Sequence, residues 1–201
     1  MKQKVSMTIM VNVVELSEAE KGDVLNTALD ICRSEGYENV SLTVVAAHAG
    51  VPAEVLRRHW PSASALLIDA FRREIGAEFL LTDTGDFAAD LRAQLTAVAK
   101  VFTDPGVAPH LTALIADMQG SPDAAAVFAE RVFGPNRFMA RARFEKAQKD
   151  GQIRADIDLD AAIDLTFAPL WFRLLLPTGP LDQDYAAAIA ELSVAALAPS
   201  H

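Results

Sequence analysis

The stretch Ser41–Pro61, SLTVVAAHAGVPAEVLRRHWP, reads as two short helices joined by a tight turn. Ser41 marks the start of the first, since a serine hydroxyl accepts a hydrogen bond from a free first-turn N–H. Leu42, Val45, Ala46 and Ala49 follow at helical spacing and make one apolar stripe. Gly50 stands where that helix must stop, and glycine enters the left-handed conformation without a Cβ penalty. Val51 is an apolar plug between the helices. Pro52 suits the first turn of the second helix, where its missing N–H costs nothing. Val55 and Leu56 turn inward, and Pro61 forbids continuation past Trp60. Ala46 is small enough for the second helix to cross closely over the first, and Leu56 supplies the matching contact. This is helix-turn-helix geometry, in which the second helix can lie in a DNA major groove. An alanine-rich hairpin inside a larger bundle carries the same pattern, and this segment alone leaves both readings open.

The flanks extend it. Ser17 and Glu20 form an S-x-x-E capping box, which opens a helix running to Glu35. Val24, Leu25, Ala28, Ile31 and Cys32 form the inward face of that helix, and Gly36 ends it. Its task is to cover the apolar side of the following pair. After Pro61, a fourth helix is expected from Ser62 to about Leu81, with Leu66, Leu67, Ala70, Phe71 and Ile75 on its buried side. Its N-terminus would sit beside the phosphate backbone that the second short helix approaches, and free N–H groups there attract anions.

The segment GYENVSLTVVAAHAGVPAEVLRRHWPSASALLIDAF resembles the N-terminal domain of the tetracycline-repressor (TetR) family of bacterial transcription regulators. The matching features are the Gly-Tyr before the hydroxyl cap, the Ala46/Gly50/Val51 core, and Leu56. Arg58-His59-Trp60 and the Pro61-Ser62 step before a Leu-Leu helix complete them. With the capped first helix, the likeness covers roughly Ser17 to Ile75. It implies a DNA operator as partner, a dimer, and release by a small effector bound among the later helices. The sequence also departs from the family. Pro52 stands where Ser or Thr is common, Arg57 where Tyr is common, and Ala63 where Lys is common. Glu15, Glu18 and Glu20 occupy an arm where arginines often occur. Pro52 and Ala63 cannot donate from their side chains, whereas Arg57 can still serve a phosphate. Each lost phosphate contact lowers affinity and its salt dependence.

Side-chain chemistry assigns roles along the DNA-facing candidates Ser41, Thr43, Pro52, Ala53, Glu54, Arg57, Arg58 and Ser62. Glu54 can accept from a cytosine amino group, or serve only as a first-turn partner of the helix dipole. Arg57 and Arg58 can reach phosphate or a guanine edge, or form a solvated surface pair. Ser41, Thr43 and Ser62 are phosphate donors at helix starts, or plain caps. His59 and Trp60 read as packing residues.

Charge constrains this reading. The net charge is −9, whereas nucleic-acid binders usually show a basic footprint. Residues 1–75 hold 8 Lys/Arg against 10 Asp/Glu, and residues 76–201 hold 10 against 17, so most of the excess acid lies outside the DNA module. The electrostatic grip is thin.

The remainder reads as all α. Helices are expected over Asp86–Phe102, Val107–Gln119 and Ser121–Lys149, the last interrupted at Gly134-Pro135. Two more follow: Asp158–Leu176, kinked at Pro169, and one opened by Asp182 or Asp184 that ends near Leu197. The organisation expected is an arm (1–16), a three-helix helix-turn-helix DNA-binding domain (17–62), and a larger helical effector-binding and dimerisation domain (63–201). LDAAIDLTFAPLWFRLLL (159–176) is apolar around most of its circumference, and YAAAIAELSVAAL (185–197) is alanine-rich. A twofold homodimer that joins these two helices to their mates in a four-helix bundle satisfies both; a single deep core is the alternative. Large apolar side chains concentrate between them. Phe102, Leu114, Met118, Phe128, Phe138, Phe167 and Trp171 are candidates to line a pocket for a small apolar effector, with His110 and then Arg141 to orient it. Simple mutual packing is the bland account of the same residues.

Other chemistry is not legible. His48, His59, His110 and His201 have no metal-ligand spacing, and the DIDLD run lacks the glycine and glutamate of a calcium loop. No cofactor, metal or catalytic group is expected, and Arg137, Arg141, Arg143, Lys146 and Lys149 read as solvated helix surface. Cys32, the single cysteine, reads as a buried apolar thiol. No apolar run approaches the roughly 20 residues of a membrane span. Ile9–Val14 is too short for a signal peptide, so a cytoplasmic chain is expected. The function expected is a dimeric, ligand-responsive repressor. The alternative is an effector-binding or protein-interaction dimer that keeps the helix-turn-helix as scaffold.

Overall fold

The computed structural model describes residues 15–199; the arm expected at 1–16 lies outside them except for Glu15 and Leu16, and Leu16 is already buried in the core. Helix α1 is Glu18–Glu35. Ser17 and Glu20 form the expected reciprocal capping box, with Ser17 N donating to Glu20 Oε2 at 2.8 Å. Helices α2 (Leu42–Ala49) and α3 (Ala53–His59) follow, and Gly50 joins them at φ +69°, a conformation that favours glycine. Val45, Ala46, Val55 and Leu56 are buried between them and α1.

Helix α4 is Ala63–Ile75, capped by Ser62. It is shorter than the helix expected to reach Leu81: Gly76–Phe79 tighten into a 3-10 turn. The chain must reverse here toward the next helix while burying Leu81, which a straight continuation does not allow. Helices α5 (Phe87–Thr103) and α6 (Ala108–Gly120) match the predicted spans closely.

The 121–149 segment differs in a physically readable way. Helix α7 (Pro122–Phe128) passes through a single π turn, Ala129–Phe133, into α8 (Gly134–Lys149), so the chain stays helical past Gly134-Pro135. Pro135 lacks an N–H, and its ring clashes with the carbonyl a turn earlier; a π turn widens the backbone there. Gly134 N donates to Ala129 O across that turn, and a Cβ on Gly134 would stand 2.9 Å from the same oxygen. Helix α9 (Leu159–Leu175) continues through Pro169, and α10 (Gln183–Leu197) is capped by Asp182. The described residues are all helix, turn and loop. None of their helices is long and apolar enough to cross a membrane.

Two shared helices organise the packing. Helix α4 packs on α1 along one side and on α6 and α7 along the other, while α5 sits between α9 and α10. The buried side chains form one continuous cluster from Leu16 to Leu197. Cys32 lies wholly inside it, where burial pushes its thiol up to about 11.

Arg143 corrects the reading of the 137–149 basic run as solvated. It is only 4% exposed, with Nε and Nη2 donating to Asp90 Oδ2 at 3.1 and 2.7 Å and its guanidinium over the Phe87 ring. Asp90 also accepts from Thr84 N and Oγ1, so the turn before α5 is tied to α8. Burial pushes the Asp90 carboxyl up, but the Thr84 and Arg143 hydrogen bonds outweigh it and hold it below its ordinary value. Because its folded pKa lies below its unfolded one, this stabilisation is present above about pH 4 and is lost as pH falls through the folded value. Arg143→Met, which strands the buried carboxylate, is expected to lower unfolding free energy by about 3–5 kcal/mol in urea titrations at neutral pH.

Candidate nucleic-acid interface and effector cavity

Helix α3 turns Val55 and Leu56 inward, and this orientation fixes what it offers outward: Glu54, Arg57 and Arg58, with Pro52 before them and Thr43 and His48 on α2 alongside. Arg57 Nη2 donates to Thr43 Oγ1 at 3.3 Å, and Arg58 Nη2 pairs with Glu54 Oε1 at 2.8 Å. Arg57 has no carboxylate partner among the described residues. Ser41 Oγ accepts from Val44 N at 3.2 Å and Ser62 Oγ from Ala65 N at 3.0 Å, so both hydroxyls act as helix caps. Pro52 corrects its expected place in the first turn of α3. It is the N-cap, in an extended conformation with ψ 133°, and the helix begins at Ala53. Ala53 is half-buried against the core. Of the residues singled out, Thr43, Pro52, Glu54, Arg57 and Arg58 are exposed, whereas Ser41, Ala53 and Ser62 are half-buried.

The end of α3 is anchored inward. Trp60 is buried, as expected of a packing residue, and its Nε1 donates to Asp69 Oδ2 on α4 at 2.9 Å. Arg131, on the π turn, donates from Nη1 to the same oxygen at 2.6 Å. Tyr37 makes a second junction: its hydroxyl donates to Asp117 Oδ2 on α6 at 3.1 Å, and Ser64 on α4 donates to that same oxygen at 2.5 Å. Burial pushes the Tyr37 hydroxyl up to about 12.

On the far side of α4 lies a cavity of about 570 Å³. Ile68, Phe71 and Ile75 of α4 form one wall, Val98 and Leu114 another, and Ile163, Phe167 and Trp171 of α9 a third. Of the residues expected to line it, Leu114, Phe128, Phe167 and Trp171 do so. Five lie elsewhere. Phe102 sits one layer behind, its ring 4.5 Å from that of Trp171. His110 is half-buried near Arg33 and Glu38, where burial, followed by the Arg33 charge, pushes its pKa below the ordinary imidazole value. Met118 is near the end of α6, outside the lining. Phe138 points outward and is 71% exposed. Arg141 lies on the outer face of α8, paired with Asp160 at 2.9 Å and Glu145 at 3.1 Å. Helical spacing shows which residues share a face; it does not show which face meets the empty space. The polar lining residues Arg72, Gln94, Arg131, Asn136, Arg137 and Asp164 carry no signal of a pocket in the sequence; packing brings them there.

No group of three or more His, Cys, Asp or Glu among the described residues is arranged to hold a metal ion. A helix-turn-helix joined through one shared helix to a cavity-bearing helical bundle is the architecture of a transcription regulator. The comparisons place it further. The family model described as "Tetracyclin repressor-like, C-terminal domain" matches residues 81–192. The crystal structure of the TetR family transcription regulator SCO0332 is 31% identical, superposes with a TM-score of 0.78, and covers 90% of this chain and 100% of that one. The HTH-type transcriptional regulator YdeS of Bacillus subtilis is 26% identical over 162 residues, 81% of each chain. AqdR of Rhodococcus erythropolis, also an HTH-type transcriptional regulator, is 31% identical over 137 residues, 67% of this chain and 64% of its own. The chain belongs to the tetracyclin repressor-like family of transcriptional regulators.

The Trp60 junction is open to direct test. Trp60→Phe keeps an aromatic ring but removes the N–H to Asp69 and part of the buried indole, and is expected to lower stability by about 1–3 kcal/mol in chemical unfolding, without changing the helical circular dichroism.

Proposed function

We propose that the protein is a homodimeric repressor that holds an inverted-repeat DNA operator through the exposed face of α3 and releases it when a small, largely apolar effector enters the cavity behind α4. The observation that carries this reading is the position of α4. The helix that forms one cavity wall also holds the end of α3, through Asp69 and Trp60. An effector that favours one placement of α4 thereby biases the placement of α3, and with it DNA affinity.

In this reading Arg57 and Arg58 contact phosphate or guanine, Glu54 takes a base-edge or dipole role, and the N-termini of α2 and α4 lie along the backbone. Arg58 must leave Glu54, and Arg57 must leave Thr43, to engage fully. Both partners are exposed and their bonds are weak in water, so the exchange costs little. The domain limits 17–62 and 63–201 express the same division of labour, with α4 beginning at the boundary.

Exposed apolar surface supports the dimer. Leu165, Phe172, Leu175 and Leu176 on or beside α9 and Leu192 on α10 are large, apolar and open to solvent in the single chain. A helix-turn-helix reader needs two copies to meet two half-sites, and covering this surface with a second copy supplies them.

Titrating the protein against the DNA upstream of its own gene is expected to protect an inverted repeat. Affinity should fall as salt rises, and Arg57→Ala/Arg58→Ala should weaken it by about 10–100-fold. The Arg58–Glu54 pair, which leaves Arg57 as the one arginine of this face without a carboxylate among the described residues, favours the second reading, an effector-binding dimer with the helix-turn-helix as scaffold; absence of any sequence-selective complex at low salt would establish that instead. Leu192→Glu is expected to shift the protein from dimer to monomer in sedimentation velocity, because it puts a charge where the apolar face should be covered. An unchanged dimer would remove α10 from the interface.

A further inference from the structure

Two arginines line the cavity and face Asp69, the carboxylate that holds the end of α3. Arg131 lines the cavity from the π turn and uses one N–H on Asp69 Oδ2 at 2.6 Å, with no other hydrogen bond among the described residues. Arg72 also lines the cavity, and its Nε is 3.9 Å from Asp69 Oδ1, beyond hydrogen-bond reach. Asp69 itself is set behind the wall, and its Oδ1 is buried with no hydrogen-bond partner. Two guanidinium charges thus face one carboxylate, and this end of the cavity keeps a positive charge. The other end is balanced differently. Arg137 is held by Asp160 at 3.2 Å and Asp164 at 2.5 Å, and Asp160 also takes Arg141.

Between the two ends the wall is mainly apolar, formed by Phe71, Leu114, Phe128, Phe167 and Trp171, with Gln94 and Asn136 its neutral polar members. A molecule buried here needs an apolar body. Its polar end, placed at Arg131 and Arg72, meets only hydrogen-bond donors and positive charge. A cationic head would be repelled there, and a neutral hydroxyl would accept at most a weaker bond. A carboxylate matches the guanidinium fork in both geometry and charge.

We propose that the cavity takes an apolar molecule carrying a terminal carboxylate, which Arg131 and Arg72 hold in competition with Asp69. This rests on the effector-site reading above and supplies its ligand class and its trigger. When Arg131 turns to the ligand, Asp69 loses a donor at the oxygen that anchors Trp60. The carboxylate, no longer pinned by Arg131, can then turn and carry Trp60 and the end of α3 with it.

Isothermal titration calorimetry with decanoate, decanol and decylamine, which share one body and differ in the head group, tests the assignment. Decanoate is expected to bind the full chain about tenfold or more tighter than decanol, a difference of about 1.4 kcal/mol, and decylamine is expected to bind worst. Arg131→Gln should erase the decanoate preference while leaving decanol binding in place. Asp69→Asn, which removes the competing charge and keeps an acceptor for Trp60, should strengthen decanoate binding several-fold, a gain that a merely structural role would not produce. The chain has two tryptophans, so in Trp171→Phe the sole indole is Trp60, and decanoate should shift its emission. Decanol or decylamine binding as tightly as decanoate, a preference that survives Arg131→Gln, weaker decanoate binding in Asp69→Asn, a silent Trp60, or no binding of any of the three would each overturn the proposal. The operator titration is read without ligand, so failure of the ligand class leaves a DNA complex intact. Failure of DNA binding leaves the calorimetry standing.

Discussion

Helix α4 has to pack on both of its sides with a single set of side chains, and the rest of the structure follows from how it does so. Ala65, Leu66, Leu67, Ile68, Ala70 and Phe71 are all buried, around far more of the circumference than a surface helix needs. One side closes the helix-turn-helix against α1; Gly22 lets Arg73 approach there, since an added Cβ would meet its Nη1 at 2.6 Å. The other side meets α6, α7 and the cavity. Packed interiors move between discrete arrangements more readily than they deform continuously. A helix packed on both sides is therefore a natural place for a change on one side to be felt on the other.

Polar contacts across α4 decide how stiff that coupling is. Arg33 pairs with Glu74 between α1 and α4, Tyr37 and Ser64 converge on Asp117 of α6, and Trp60 and Arg131 converge on Asp69. The last of these differs from the others because one participant borders empty space. An arginine in the wall of a cavity can be offered a new partner, whereas one enclosed by protein cannot. Arg143 shows the contrast: held by Asp90 and covered by Phe87, it fastens α8 to the turn before α5 and has no opening to a ligand.

The overall negative charge bears on the DNA-facing surface in the same local way. The acid is concentrated in the later helices, where Arg92, Arg137, Arg141 and Arg154 match part of it at close range. The recognition face holds Arg57 and Arg58 against Glu54. The field at a groove depends on the nearest charges, with more distant ones screened over about 8–10 Å of salt solution. A net count over the whole chain therefore says little about that face.

By itself the sequence determined the helices, their caps and the helix-turn-helix, because these depend on neighbours a few residues apart. The Ser17–Glu20 box, the left-handed Gly50, the Ser62 cap and the inward Leu56 are all local events, and each stands where the spacing put it. It also determined that Trp60 and Cys32 are interior. Only the tertiary structure decided where the cavity lies. Leu114, Phe128, Phe167 and Trp171 meet around it, while Phe102 is a layer behind and Phe138 faces out, though all share the same apolar character in sequence. The burial of Arg143, the meeting of Arg131 with Asp69 across 62 residues of chain, and the π turn that aims it are likewise products of packing. A helical pattern records which side chains share a face. What that face touches is fixed by the partners that long-range packing brings to it.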